Sequence, residues 1–136
     1  MSGTILVVDD EQIVRDFFID VAQSLGGQIE TAEDGDIAVE KCRKQHFDIV
    51  FLDMRMPHMN GLDACRTILS VDPSAKVVMM SGFSEERLID EAINSGAIAK
   101  ISKPFELRSI VDLIECATGK GASRGGPGED CICFSF

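Results

Sequence analysis

Five short β-rich runs, Thr4 to Val8, Gln28 to Thr31, Asp48 to Leu52, Lys76 to Met80 and Ala97 to Ile101, alternate with segments of helical periodicity. That alternation leaves few folds open. Consecutive parallel strands need a crossover long enough to hold a helix, and such crossovers are right-handed, so helices cover both faces of one sheet. The first helical segment is the clearest: Ile13, Val14, Phe17, Phe18, Val21, Ala22 and Leu25 recur at spacings of three and four before Gly26-Gly27 ends it. Gly35 to Gln45 follows with Ala38, Val39 and Cys42 as its apolar face, and Leu62 to Val71 ends before Asp72-Pro73. Ser84 is placed to cap a helix that runs to Ser95, with Gly96 behind it, and Glu106 to Ala117 carries Leu107, Ile110, Val111, Ile114 and Ala117 on one face. The expected fold is α/β: a doubly wound, five-stranded parallel sheet flanked by five helices.

A chain of 136 residues suits one domain with one core. Residues 1–118 form the expected domain; after Thr118 the stretch GKGASRGGPGED holds no apolar residue except Ala122, so residues 119–136 read as a Gly-rich flexible tail that ends in the apolar hexapeptide CICFSF. That hexapeptide is expected to dock on an apolar groove or to be disordered. Its last four residues, CFSF, match a prenylation box only superficially, because Phe134 and Ser135 are not aliphatic. Five cysteines, Cys42, Cys65, Cys116, Cys131 and Cys133, are odd in number and irregular in spacing, which fits reduced thiols better than a disulfide framework.

The net charge of -10 repels phosphodiester backbones and anionic lipid, so neither nucleic acid nor membrane is an expected partner, and a cation is the natural small one. MSGTILVVDD has four consecutive strongly apolar residues and no basic start, too little for a signal peptide or a membrane span, and the expected location is cytoplasmic.

In a sheet of this kind the ligand crevice opens at the carboxyl ends of the strands, where the chain reverses direction between the first and third. Asp9 and Asp10 follow the first strand and Asp53 follows the third, so three acids more than forty residues apart converge there. Crowded carboxylates raise one another's pKa unless a cation joins them, and oxygen ligands without His or Cys favour Mg²⁺. Ser81 follows VVMM at the end of the fourth strand and Lys103 follows the fifth, immediately before Pro104. A carboxylate nucleophile, a divalent cation, an ammonium group and a hydroxyl are together what phosphoryl transfer to an aspartate asks of a protein. Taken singly, each acid is more often a solvated strand end or a helix cap than a site residue, Ser81 with Gly82 is equally a turn, and Lys103 a surface lysine.

Five blocks in this order and spacing, ILVVDDE, TAEDGDIAVE, DIVFLDMRMPHMNGLD, VVMMSG and GAIAKISKPF, resemble the receiver (CheY-like) domain of bacterial two-component response regulators over about residues 4–117. The resemblance implies a flavodoxin-like sheet of strand order 2-1-3-4-5. It also implies that Asp53 takes a phosphoryl group from a sensor histidine kinase or histidine phosphotransferase, that Asp9, Asp10, Asp53 and the main-chain carbonyl of Arg55 hold Mg²⁺, and that Ser81 and Lys103 bind the phosphoryl group. By the same resemblance the Lys103-Pro104 bond is expected to be cis, Gly82 to leave room for the donor or a water, and Arg55 and Phe83 to overhang the site and govern water access. His58, in the loop after Asp53, reads as an exposed turn residue rather than a relay.

One position departs from the pattern. Three residues before Lys103, where many receivers carry an aromatic ring that moves inward on activation, this chain has Lys100. A buried ammonium would be costly, so Lys100 is expected near solvent: either paired with an acid such as Glu91, with signalling through the Ser81 loop and the preceding helix, or simply an exposed strand residue with no signalling role. A Gly-rich tail cannot form a helix-turn-helix, so output is expected through a downstream protein target. The chain is then a stand-alone receiver or a phosphorelay shuttle, with no turnover of outside substrates. Two other readings stay open: a docking module independent of phosphorylation, and an aspartate-nucleophile phosphatase. The phosphatase pattern puts a second Asp two residues after the nucleophile, where this chain has Arg55.

Overall fold

The computed structural model of the chain describes residues 3–56, 59–82, 86–103 and 105–118. Its elements alternate strictly: β1 Thr4–Val8, α1 Gln12–Leu25, β2 Gln28–Ala32, α2 Gly35–Lys44, β3 Ile49–Asp53, α3 Gly61–Val71, β4 Val77–Ser81, α4 Glu86–Asn94, β5 Ala99–Ser102 and α5 Leu107–Ala117. The five strands form one parallel sheet in the order β2-β1-β3-β4-β5, as the sequence led us to expect. β3 and β4 each begin and end one residue later than the expected segments 48–52 and 76–80, so Asp53 and Ser81 are the last residues of strands and are held in the ladder.

Alternation along the strands divides the core into two layers. Leu6, Val8, Val50, Leu52, Val77 and Met79 face α2, α3 and α4, with Phe47, Cys65, Ile68, Ile89 and Ala92 completing that side. Ile5, Val7, Ile49, Phe51, Val78, Met80, Ala99 and Ile101 face α1 and α5 and meet Phe18, Val21, Ile110, Leu113 and Ile114. Burying a side chain of this size contributes about 1.5–3 kcal/mol, and the central strands are covered on both faces. An aromatic chain links the second layer to the carboxyl edge. Phe18 lies 4.7 Å from Phe51, and Phe17 stacks at 6.2 Å on Phe105, two residues beyond Lys103.

Local chemistry sets the helix ends. Gly26 takes φ 75° and closes α1 in a left-handed turn that a side chain would strain. Asp34 caps α2 by accepting from the Ile37 amide at 2.9 Å, and Asn60 caps α3 by accepting from the Asp63 amide at 2.9 Å. The face of α1 departs from its apolar stripe: Ile13 is 77% exposed, while Arg15 is buried with Phe18, Val21 and Ala22. Ile13 lies roughly opposite the buried stripe on the helical wheel, and Arg15 occupies the core-facing position because its guanidinium finds partners there.

At the amino edge of the sheet, Asp72 ends α3 and accepts from the Ser74 hydroxyl at 2.7 Å, and its carboxylate also meets the His46 ring. These bonds, Ser74 first and His46 second, hold the Asp72 carboxyl below its ordinary range. A depressed carboxyl contributes stability that is present above its unfolded pKa and lost as pH falls through the folded one. Asp72→Ala is therefore expected to lose about 1–2 kcal/mol at pH 7, with the difference from the parent shrinking below about pH 4 in denaturant melts.

Cys42 and Cys65 are free and buried, and burial pushes both thiols up to about 11. Cys116 is disulfide-bonded, which corrects the expectation of five reduced thiols. His58, Phe83, Ser84, Pro104 with its expected cis bond, Cys131, Cys133 and the rest of residues 119–136 lie outside the described residues.

Candidate functional site

The carboxyl ends of β1, β3, β4 and β5 bring the acids, Ser81 and Lys103 to one rim. Asp9 leaves β1 with its backbone amide donating to the Ala32 carbonyl, and its Oδ1 accepts from the Glu11 amide at 3.0 Å. This turn buries Asp9 completely and leaves Asp10 exposed. Asp53 ends β3 at 5% exposure. One oxygen from each of Asp9, Asp10 and Asp53 lies within 4.8 Å of the others, the convergence inferred from their places in the chain.

Lys103 is the counter-charge. Its Nζ donates to Asp9 Oδ2 at 2.9 Å and lies 3.3 Å from both Asp53 Oδ1 and Glu11 Oε1. Its amide donates to the Ser81 carbonyl at 2.8 Å, tying the residue after β5 to the end of β4, and Phe105 anchors the chain just beyond. Ser81 is 7% exposed; Gly82 and Arg55 are exposed beside the rim.

One lysine does not balance these acids. Burial, and next the charge of Asp9, push the Asp53 carboxyl up to about 7, although Lys103 opposes the shift. Burial also raises Asp9, against the Glu11 amide and Lys103. The Lys103 ammonium is held well above its ordinary range by Asp9 and Asp53, against the effect of its own burial, so it stays charged. The donor set is hard oxygen, short of positive charge, and lacks His and Cys, which fits Mg²⁺.

Three features of the site were missed from sequence. Glu11 joins the Lys103 cluster, and its place in the run DDE was the available signal. Arg15 turns inward beneath Asp9, signalled by a charge on a core-facing position of α1. Gly61, the first residue of α3, donates its amide to the Met54 carbonyl at 2.9 Å, and an added Cβ would lie 2.5 Å from the Asp53 carbonyl oxygen. No pattern in one sequence announces such a close approach.

The Glu91 pairing expected for Lys100 is not seen. Lys100 is half-buried in β5 opposite Met79, and among the described residues no ion pair joins it to Glu91, whose carboxylate lies 3.9 Å from Arg66 instead. Arg66, on α3, reaches α4 across the helix contact, whereas Lys100 extends from an edge strand.

A parallel sheet of this order, with helices on both faces and acids at its carboxyl rim, is a doubly wound module of the flavodoxin-like kind. The family model for the response regulator receiver domain matches residues 5–115, and the chain belongs to that family. It is 36% identical over 115 residues to the chemotaxis protein CheY of Thermotoga maritima, covering 84% of this chain and 96% of that one. It is 30% identical over 115 residues to the sporulation initiation phosphotransferase F of Bacillus subtilis, covering 85% and 93%. A CheY-like receiver domain from Methanospirillum hungatei superimposes with a TM-score of 0.83 at 23% identity over 92% of this chain and all of the other, a likeness that speaks to fold alone.

Proposed function

We propose that Asp53 accepts a phosphoryl group from a sensor histidine kinase or a histidine phosphotransferase, and that the phosphorylated domain signals to a protein target. The observation that carries this is the Lys103 ammonium 3.3 Å from Asp53 and 2.9 Å from Asp9, at a rim where three carboxylates crowd within 4.8 Å. The Asp53 carboxylate supplies the attacking oxygen. Lys103, fixed by Asp9 and by its amide on Ser81, faces the oxygens of the incoming group, and the Ser81 hydroxyl donates to one of them. Exposed Gly82 leaves the approach open. Asp9, Asp10, Asp53 and the main-chain carbonyl of Arg55 would hold Mg²⁺, which when bound neutralises charge on the phosphoryl oxygens.

Because Asp53 retains its proton to about pH 7, binding a cation there releases one. Apparent Mg²⁺ affinity is expected to rise several-fold between pH 6 and pH 8, so the Mg²⁺-induced increase in Tm should be larger at pH 8; a shift independent of pH counts against ionised Asp53 as a ligand.

The likeness to CheY supports the reading as a signalling receiver. The likeness to the sporulation phosphotransferase supports a second reading as a relay that passes the group on. Either way the chain catalyses only its own phosphorylation and dephosphorylation. With Lys100 half-buried and no ring at that position, output runs through the Ser81 loop and α4. Among the described residues no helix is long and apolar enough to cross a membrane. The kinase, phosphotransferase and target that this reading calls for meet the domain in the cytoplasm.

The test is incubation with acetyl phosphate and Mg²⁺ followed by intact mass. One phosphoryl group per chain, dependent on Mg²⁺, is the expected result. Steady turnover of phosphate esters would instead indicate a phosphatase, and faster loss of the group to a histidine phosphotransferase than to water would indicate the relay.

A further inference from the structure

We infer that Arg15 is a positioning residue for the cation site, acting through the main chain of Asp9 to set where Asp10 stands. This rests on the reading of the acidic rim as a Mg²⁺ site. Arg15 is 7% exposed, yet its only carboxylate neighbour among the described residues is Glu33, at 3.9 Å and itself largely exposed. Its guanidinium donates instead to the Asp9 carbonyl, Nη1 to O at 2.7 Å, and to Gln12 Oε1 from Nη2 at 2.8 Å. A buried charge without a close carboxylate is a poor device for stability alone, since desolvation opposes it.

The carbonyl that Arg15 holds belongs to the peptide linking Asp9 to Asp10. Asp9 is restrained twice more, by the Glu11 amide on Oδ1 and by Lys103 on Oδ2. Asp10 is exposed, and among the described residues no hydrogen bond or ion pair orients its carboxylate. Its direction is therefore set by the main chain leading into it, and Arg15 pins that peptide from below. Gln12 Oε1 keeps the guanidinium fork aligned, and the bond from Gln12 Nε2 to Asp16 at 2.8 Å keeps Gln12 in place. Outer groups that orient metal ligands typically contribute ten- to a hundredfold in affinity.

The experiment compares the parent with Arg15→Met, Arg15→Lys and Glu33→Gln, after circular dichroism at matched temperature below each Tm. Mg²⁺ affinity is measured directly by titration calorimetry, and the rate of phosphorylation by acetyl phosphate is measured against Mg²⁺ concentration. Arg15→Met is expected to weaken Mg²⁺ binding about tenfold or more and to raise the half-saturating Mg²⁺ equally, with the rate at saturating Mg²⁺ within about threefold of the parent. Arg15→Lys, which keeps one donor for the Asp9 carbonyl, should recover part of the loss, and Glu33→Gln should bind as the parent does. Arg15→Met with parental Mg²⁺ affinity overturns the inference, as does a fall in the saturated rate alone. If Arg15→Met does not fold, Arg15→Lys decides the matter: weakened Mg²⁺ binding at parental Tm supports the inference, and parental binding overturns it. A parent that binds Mg²⁺ but takes no phosphoryl group would refute the receiver reading and leave Arg15 to be judged on calorimetry. A parent that binds no Mg²⁺ refutes both.

Discussion

Asp53→Asn is expected to make the metal-free protein more stable at pH 8 and, in the same molecule, to abolish phosphoryl uptake. The Asp53 carboxyl is raised to about 7 by burial and by Asp9, whereas in the unfolded chain it titrates near the ordinary value of about 3.9. Below about pH 4 both states hold the proton and the group is neutral to stability. Between about 4 and 7 the native state binds the proton that the unfolded state has released, so native stability falls as pH rises, and above 7 the full penalty applies. An amide removes that penalty and still accepts from Lys103. The gain should be roughly 2–4 kcal/mol at pH 8 and close to zero at pH 4, read from urea melts of both proteins at both pH values. Acetyl phosphate with Mg²⁺ should add mass to the parent and none to the variant. A variant less stable than the parent at pH 8 would mean that the three acids are already neutralised in the free protein.

The second large effect is steric. The ideal Cβ of an alanine at Gly61 would sit 2.5 Å from the Asp53 carbonyl oxygen and 2.6 Å from the Met54 Cα. Both are main-chain atoms at the end of a central strand, where β3 pairs with β1 and β4, so they have little room to give. Gly61→Ala is expected to lose about 2–3 kcal/mol, roughly 10 °C in Tm, and to slow phosphorylation by moving the loop that follows Asp53. An alanine variant with parental Tm would show that α3 can slide away from the strand end at little cost.

Why sequence reading served the sheet better than the rim follows from what each depends on. Strand runs such as ILVV and IVFL are apolar because both faces are covered, and burial on two faces is written directly into composition. The site acids were legible for a related reason: a carboxylate at the end of such a run has no packing role. Periodicity failed where a polar group did the packing. Ile13 continued the apolar stripe of α1 on paper, but Arg15 takes the buried position because the Asp9 carbonyl and Gln12 satisfy its guanidinium, and those partners exist only in three dimensions. The same holds for Lys100, whose expected partner Glu91 sits by Arg66 of a neighbouring helix, and for Gly61, whose constraint is an atom of another residue's backbone. Charge pairs and close approaches between elements are set by how helices lie on the sheet, which one sequence does not encode in any local pattern.

Whether the acidic rim captures a phosphoryl group on a single carboxylate is decided by locating that group. The phosphorylated protein would be trapped with borohydride, which reduces an aspartyl phosphate to homoserine, and the digested peptides sequenced by mass spectrometry. Homoserine is expected at residue 53 and nowhere else. Reduction at Asp9 or Asp10, or a stable phosphate on a histidine or hydroxyl residue with Asp53 unmodified, would contradict the role assigned to Asp53.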